Sequence, residues 1–197
     1  MKVGIVDYGH TGNLFNVKKA LLHLKVNVLV IDSPEQLSEI DALVLPGVGA
    51  FASVMHQLQS TGLGAAIRQL QKPVLGICIG MQILAKAGFE NQFTAGLDVF
   101  DCDVKKLKSK SVLPHLGFKH LSVVRGSVLL KDIEESSFYF MHSYGMDYTG
   151  EVQAYCSYGG SKFPAVVQKD NFYGVQFHPE KSRLAGIQLF KNFLSVI

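Results

Sequence analysis

Apolar and polar residues alternate in blocks along the first 88 residues, and the blocks predict strands separated by helices. Each short apolar run is typical of a buried strand, and the four runs are Val3–Val6, Val26–Ile31, Ala42–Leu45 and Pro73–Ile77. Strands that alternate with helices are typical of a parallel sheet covered on both faces. The first half of the chain therefore predicts an α/β architecture.

Between these strands, apolar residues recur at steps of three and four, as they do along one face of a helix. Asn13 begins the first such segment, and Ser33 begins the second as a cap, with Pro34 at the first position and Gln36 completing a capping box. The other predicted helices carry Phe51, Val54, Met55 and Leu58, then Leu63, Ala66, Ile67 and Leu70, and then the run Met81–Ala87.

The second half has the two-residue period of strands. Phe100, Cys102 and Val104 alternate with charged residues, which indicates a strand with one face in solvent. Further extended runs are Lys119–Val124, Ser137–His142, Val152–Tyr158, Phe163–Gln168 and Phe172–Phe177, with Lys169-Asp170-Asn171 as a hairpin-like connection between the last two. Ser182 is placed to cap a closing helix that buries Ile187, Phe190 and Leu194. We expect one domain, residues 1–197, with a parallel core and a mixed-strand second half.

Composition narrows the class of protein. Hydrophobic residues make up 48% of the chain and charged residues 18%, as in a globular domain with a proper core. A net charge of +3 is too small to indicate a nucleic-acid-binding or membrane-surface protein. Three cysteines without CxxC spacing argue against a disulfide framework or a cysteine zinc site. No run is long enough to span a membrane, and Asp7 interrupts the first apolar run, so we expect a cytoplasmic protein without a signal peptide.

The segment KPVLGICIG, Lys72–Gly80, holds the first candidate for chemistry. A strand that turns at once into a helix strains the residue at the turn, here Cys78. Gly76 and Gly80, two positions before and after it, remove side chains that would collide there. This is the pattern of a nucleophile elbow, and the helix start favours thiolate over thiol. On this pattern alone, Cys78 is either a nucleophile or a small core residue.

A cysteine nucleophile needs a base and a group that orients the base, and Phe177-His178-Pro179-Glu180 offers both. His178 follows an apolar strand, at the sheet edge where α/β proteins place their sites. Glu180 can hydrogen-bond one ring nitrogen of His178 while the other faces Cys78. The turn Pro46-Gly47-Val48-Gly49 follows another strand, and its glycines would let a backbone N–H point into the site as an oxyanion donor.

Together these motifs resemble the class I, or triad-type, glutamine amidotransferases, and within them the glutaminase subunits of imidazole glycerol phosphate synthases. The resemblance implies a flavodoxin-like α/β domain with a central, mostly parallel sheet flanked by helices. The matching segments are Asp7-Tyr8-Gly9 with Gly12-Asn13-Leu14, Pro46–Phe51 (PGVGAF), Gly76–Gln82 (GICIGMQ), Pro114-His115-Leu116-Gly117, His142-Ser143-Tyr144 and Gly174–Ser182 (GVQFHPEKS).

By position, the resemblance makes Cys78 the nucleophile that forms a glutamyl thioester, His178 the proton shuttle and Glu180 its orienting group. It places the oxyanion region at Val48 and Gly49, glutamine contacts at Gly49, Gln82, Ser143 and Tyr144, and a partner face near Asn13 and Lys181. It implies no cofactor and no metal. The ammonia released from L-glutamine would pass to a (β/α)8-barrel cyclase subunit in a heterodimer of histidine biosynthesis.

Two departures from the family pattern leave the partner open. His10-Thr11 stands where one residue is expected between two glycines, and Phe118-Lys119 follows Gly117 where tryptophan and asparagine are usual. Both can affect docking, so a paralogue that serves another synthase, such as one that aminates surface-polysaccharide sugars, stays possible. A catalytically silent subunit is disfavoured because the three triad residues are all present. A nucleotide-binding module is disfavoured because the Gly9–Gly12 loop lacks GxGxxG.

Overall fold

An eight-stranded sheet forms the centre of the fold in a computed structural model of the chain. The structure describes residues 1–9, 11–47 and 49–197, and for residues 11–13 it describes the backbone alone. In spatial order the strands are β2 (Asn27–Ile31), β1 (Lys2–Val6), β3 (Ala42–Leu45), β4 (Val74–Ile77), β14 (Phe172–Val175), β13 (Ser161–Lys169), β12 (Val152–Tyr158) and β9 (Ser122–Val123).

The five strands from β2 to β14 pair in parallel, and the strands from β14 to β9 pair antiparallel. The sheet therefore has the parallel core and the mixed second half that the sequence predicts. Strands β13 and β14 form a hairpin in which Lys169 pairs with Phe172, so the predicted connection is a two-residue turn. Asp170 in this turn has a φ of 52°, which asparagine and aspartate tolerate better than most residues.

Helices cover both faces of the sheet, because successive residues of each strand point to opposite sides. On one face, α2 (Phe51–Ser60) and α3 (Leu63–Arg68) pack on Leu43 and Leu45 of β3. On the other face, α1 (Thr11–His23) and α5 (Arg183–Leu194) pack on Ala42 and Val44 of the same strand. A short 3-10 helix, Pro34–Glu39, precedes β3, and the Gln36 side chain accepts the Ser33 N–H at 3.1 Å, as the capping box predicts. No helix in the described ranges is long and apolar enough to cross a membrane.

Two smaller sheets stand beside the central one. The first, in spatial order, contains β11 (Tyr144–Met146), β7 (Phe100–Lys106), β5 (Ala85–Gly88) and β6 (Thr94–Ala95). The second is a two-stranded antiparallel ribbon of β8 (His115–His120) and β10 (Ser137–His142). Both border the end of β4, where the candidate nucleophile lies.

The predicted helix over Met81–Ala87 is wrong. The helix α4 is one turn, Ile79–Gln82, and the chain then enters β5. The reason is tertiary, because carbonyls that a longer helix would use accept other bonds: Ile83 from the Leu97 N–H at 2.8 Å and Ala85 from the Asp98 N–H at 3.0 Å. An apolar run of this length suits a buried helix or a buried strand equally well.

Two helix starts also differ from the prediction. Helix α1 begins at Thr11, two residues before Asn13. Ser182 lies at the N-terminus of α5 but makes no side-chain capping bond. Its Oγ instead donates to the His178 carbonyl at 2.7 Å and accepts the Tyr139 N–H at 3.0 Å. Of the three apolar residues predicted to be buried on this helix, Phe190 is fully buried, whereas Ile187 and Leu194 are partly buried.

Candidate active site

Cys78 lies at a sharp turn between β4 and α4. Its φ of 51° and ψ of −107° are a conformation that residues with a side chain rarely adopt. A Cβ atom on Gly76 would lie 2.6 Å from the Gly80 carbonyl oxygen, and one on Gly80 would overlap the Leu45 carbonyl. The two glycines are therefore required for the turn, and the elbow predicted from their spacing is present.

The parallel pairing of β4 with β14 brings the HPE segment to the elbow. Ile77 pairs with Val175, so the chain beyond Val175 runs past Cys78. The His178 N–H then donates to the Tyr139 carbonyl at 2.8 Å, which ties the segment to β10. With the Ser182 hydroxyl on the His178 carbonyl, the backbone of this residue is held on both sides.

The side chains of His178 and Glu180 form a buried pair. Nδ1 of the ring lies 2.7 Å from Oε1 of the carboxylate, and the two side chains are 1% and 0% exposed. Burial acts to lower the pKa of His178, but the neighbouring Cys78 sulfur and the Glu180 carboxylate outweigh it and raise this pKa to about 10. The balance favours a charged imidazolium beside the Cys78 sulfur, which is the cationic neighbour that a cysteine nucleophile uses.

Gly47 lies against both the His178 ring and the Cys78 side chain. A Cβ atom at this position would lie 2.8 Å from Cε1 of His178 and 3.1 Å from Cβ of Cys78. The first contact is shorter than real Cβ atoms show and the second is tighter than most, so glycine at this position lets the ring and the cysteine approach each other. The sequence marks Gly47 only as part of a turn.

A cavity of about 340 Å³ opens in front of Cys78 and His178. All four residues predicted as glutamine contacts line it, namely Gly49, Gln82, Ser143 and Tyr144. Gly49 has a φ of 101°, which favours glycine at that position. Glu180 lies behind His178. Val48 and His10 lie outside the described residues, as does the side chain of Asn13. Lys181 lies outside the cavity, with its Nζ 5.8 Å from the centre of the Tyr139 ring.

Two residues of the site were not predicted. Gln176 is fully buried, and its Nε2 lies 3.6 Å from the Cys78 sulfur. Glu90 lines the cavity, and its Oε2 accepts the Phe51 N–H at 2.8 Å. Gln176 has a sequence signal, because it is polar within an apolar strand two residues before His178. Glu90 has no such signal, since it lies in a loop after a segment that was predicted to be helical.

His142 is a second histidine in the wall of the cavity, and its surroundings disfavour a role as the base. Burial lowers its pKa to about 3, and its Nδ1 donates to the Tyr144 carbonyl at 2.8 Å. Its Nε2 lies 3.3 Å from Nδ1 of His115, whose ring stacks on those of Phe140 and Tyr158. The two histidines form a neutral, structural pair at the wall of the cavity. The described residues contain no cluster of three or more side chains arranged to hold a metal ion.

A strained cysteine elbow beside a buried histidine–carboxylate pair, at the end of a flanked α/β sheet, is the arrangement that a cysteine nucleophile needs. The chain belongs to the class-I glutamine amidotransferase family, whose pattern matches residues 5–196.

Curated relatives match almost the whole chain. It is 38% identical over 205 residues to the "imidazole glycerol phosphate synthase subunit HisH" of Geobacillus sp. (strain WCH70), a match that covers 99% of this chain and 97% of the relative. It is 41% identical over 202 residues to "HisH 1" of Vibrio vulnificus (strain YJ016), covering 99% and 98%.

Solved structures share the fold. One is described as a glutamine amidotransferase, with a TM-score of 0.78 and 21% identity over 98% of this chain and 97% of that chain. The structure of PurLQS from Thermotoga maritima gives a TM-score of 0.72 at 17% identity, over 99% of this chain and 98% of that chain. At these identities the likeness bears on the fold alone, and it agrees with the predicted class.

Proposed function

We propose that this chain is the glutaminase subunit of an imidazole glycerol phosphate synthase in histidine biosynthesis. It hydrolyses L-glutamine to glutamate and ammonia and passes the ammonia to a (β/α)8-barrel cyclase subunit. The observation that carries the proposal is the buried Cys78, His178 and Glu180 arrangement, in a chain similar over nearly its whole length to subunits of that synthase. As part of this proposal, we place the protein in the cytoplasm and treat residues 1–197 as one domain.

The chemistry follows from the positions of the three side chains. The Cys78 thiolate attacks the amide carbon of glutamine, and the negative oxygen that forms is stabilised by the backbone around Val48 and Gly49. The His178 imidazolium gives its proton to the departing nitrogen, which leaves as ammonia while a glutamyl thioester remains on Cys78. The neutral His178 then takes a proton from water, which attacks the thioester, so that glutamate leaves and the thiolate returns. Glu180 holds Nδ1 throughout and keeps the ring oriented.

The cavity suits a small amino acid. Glu90 places a carboxylate in the wall, where it can pair with the α-ammonium group of glutamine. Ser143, Tyr144 and Gly49 line the same space and can bind the α-carboxylate and the side-chain amide. The side-chain nitrogen of Gln82 is already engaged by the Tyr144 carbonyl at 2.8 Å, so we assign this residue to the wall of the pocket as well as to substrate contact.

The partner docks, in this proposal, on the outer face of the β8–β10 ribbon. Leu116, Phe118 and Met141 are exposed there, and Met141 also lines the cavity, so the apolar face continues into the site. Arg183 lies over the Phe118 ring at 4.8 Å and Lys181 lies over the Tyr139 ring, which gives the face a basic rim. An apolar centre with a charged rim is typical of a protein–protein interface. Asn13 and Lys181 are the residues we assign to this contact.

The test is production of imidazole glycerol phosphate by this chain mixed with a cyclase subunit. With glutamine as nitrogen source, both proteins should be required, whereas ammonium salts should support the cyclase alone. Glutamate release without any coupling to the cyclase would instead assign the chain to another ammonia-accepting synthase. If the chain shows no glutamate release and no coupling to the cyclase, it is instead a catalytically silent subunit that only binds a partner.

A further inference from the structure

Gln176 and Cys78 occupy equivalent positions at the ends of two paired strands. Val175 of β14 pairs with Ile77 of β4, so Gln176 and Cys78 are the next residues of the two strands. The Cys78 N–H donates to the Val175 carbonyl at 2.8 Å, which extends the pairing to the elbow. The Gln176 side chain is fully buried, and its Nε2 lies 3.6 Å from the Cys78 sulfur. The strand register thus places the buried side-chain amide of Gln176 beside the sulfur of Cys78.

The orientation of this amide follows from a chain of hydrogen bonds that ends on the backbone. The Tyr144 carbonyl can only accept, so the Gln82 atom 2.8 Å from it is the amide nitrogen. That nitrogen also lies 3.0 Å from Gln176, so the Gln176 atom facing it is the oxygen. The opposite end of the Gln176 amide, which faces the sulfur, is therefore the NH2 group. His142 also donates to the Tyr144 carbonyl, which anchors the chain further.

We propose that the Gln176 side-chain N–H is a catalytic donor to the Cys78 sulfur, with Gln82 as the positioning residue that keeps the donor turned toward it. The proposal rests on the proposed glutaminase function. A hydrogen bond to a charged acceptor is stronger than one to a neutral acceptor, so the donor favours the thiolate over the thiol and over the thioester. It therefore acts before attack on glutamine, and again when water releases glutamate and the C–S electron pair returns to the sulfur.

Other groups that face the sulfur act on the same equilibrium. The imidazole of His178, paired with Glu180, favours the thiolate. The Met141 carbonyl lies 3.9 Å from the sulfur and favours the protonated thiol, which can donate to it. Glu90 and His142 line the same cavity. Gln176 adds a neutral donor, whose contribution should not change with pH.

The direct test is the thiolate fraction of Cys78, measured without glutamine from the pH dependence of alkylation by iodoacetamide. Peptide mass mapping separates Cys78 from Cys102 and Cys156. Gln176→Met keeps the length of the side chain and removes both polar ends. We expect thiolate formation to need a higher pH, so that the alkylation profile moves up by about one pH unit.

Gln153→Met is the matched control. Gln153 is also buried, on β12, and its Nε2 donates to Gln168 at 2.6 Å. Its hydrogen bonds among the described residues go to Ser127, Gln168, Val124 and Arg125, none of which lines the cavity, so this variant should keep the wild-type alkylation profile. A shift of equal size in Gln153→Met would mean that a buried polar loss anywhere produces the effect, and would overturn the proposal.

Gln82→Met tests the chain of hydrogen bonds from its other end, and it also decides the matter if Gln176→Met fails to fold. The Gln176 amide would lose the contact that sets its orientation, so the profile should move in the same direction by less. A wild-type alkylation profile in the folded Gln176→Met variant overturns the proposal. If that variant does not fold, a wild-type alkylation profile in Gln82→Met overturns it. A wild-type chain that releases no glutamate with or without a partner refutes the proposed function instead, since alkylation needs no glutamine.

Discussion

The His178 ring and the Glu180 carboxylate meet at 2.7 Å between Nδ1 and Oε1, with both side chains withdrawn from solvent. Two residues apart in sequence, they are held together by the short 3-10 helix Pro179–Lys181, whose proline stiffens the link. This contact fixes which ring nitrogen points away from Glu180 and toward Cys78, so the general base is oriented before glutamine binds.

The pair predicts unequal effects of substitution. His178→Asn removes the proton carrier and should lower the rate of glutamine hydrolysis by about 10²–10⁴-fold. Glu180→Gln keeps a partner at Nδ1 but removes its charge, so the loss should be smaller. Steady-state glutamate release by the two variants, with unfolding curves to confirm the fold, gives the comparison. Small and equal losses would place the base elsewhere.

Gly47→Ala should separate the ring from the cysteine. The added Cβ would need to displace Cε1 of His178, 2.8 Å away, and such a displacement can cost about 10²-fold in kcat. Gly126→Ala is the control, because a Cβ at Gly126 meets nothing within 4 Å. We expect full activity from Gly126→Ala, and a Gly47→Ala enzyme of equal activity would contradict this account of the turn.

The buried histidine pair predicts acid sensitivity of the fold. Burial lowers the pKa of His115 to about 4 and that of His142 to about 3, from the ordinary value of 6.5. Below pH 6.5 these two histidines bind protons in the unfolded chain but stay neutral in the native protein, so falling pH favours unfolding. His115→Phe keeps a ring between Phe140 and Tyr158 and removes one titrating group.

The measurement is the free energy of unfolding in urea at two pH values. Between about pH 7 and about pH 5, the wild type should lose about 1–2 kcal/mol more than His115→Phe. An equal loss in the two proteins would show that His115 takes up its proton in the native state.

Lys181 should matter to the partner more than to the basal reaction. Its Nζ lies beside the Tyr139 ring on the proposed docking face, outside the cavity. Lys181→Ala should therefore reduce the stimulation of glutamate release by the cyclase, while the rate of the isolated chain stays nearly unchanged. Lys162→Ala is the control, since Lys162 lies over another tyrosine ring, that of Tyr155, at 4.2 Å. Equal stimulation in both variants would remove Lys181 from the interface.

The parts of the fold that the sequence predicts are those set by local pattern. The strand Ala42–Leu45 and the buried residues of α2 are as predicted. Four consecutive apolar residues favour a buried strand, and apolar residues at helical spacing favour a helix with one buried face. The predicted helix over Met81–Ala87 is wrong because β5 forms there and pairs with strands that are distant in sequence. A single domain over residues 1–197 stays a prediction.

The same limit applies to the site. Cys78 and His178 could be chosen from motifs, because an elbow and an HPE segment carry their spacing in sequence. Gln176 and Gly47 matter through contacts that only strand register creates, the first beside the sulfur and the second beside the ring. The oxyanion assignment to Val48 and Gly49 and the interface assignment to Asn13 stay predictions.

Glutamate release tests most directly whether Cys78 is the nucleophile of a partner-coupled glutaminase, as we propose. The rate is measured for the isolated chain, for the chain with the cyclase, and for that complex with the cyclase substrate bound. We predict a low basal rate and strong stimulation in the wild type and in Cys102→Ser, and no glutamate release from Cys78→Ser, which should still bind the partner. Near wild-type release by Cys78→Ser would contradict the account.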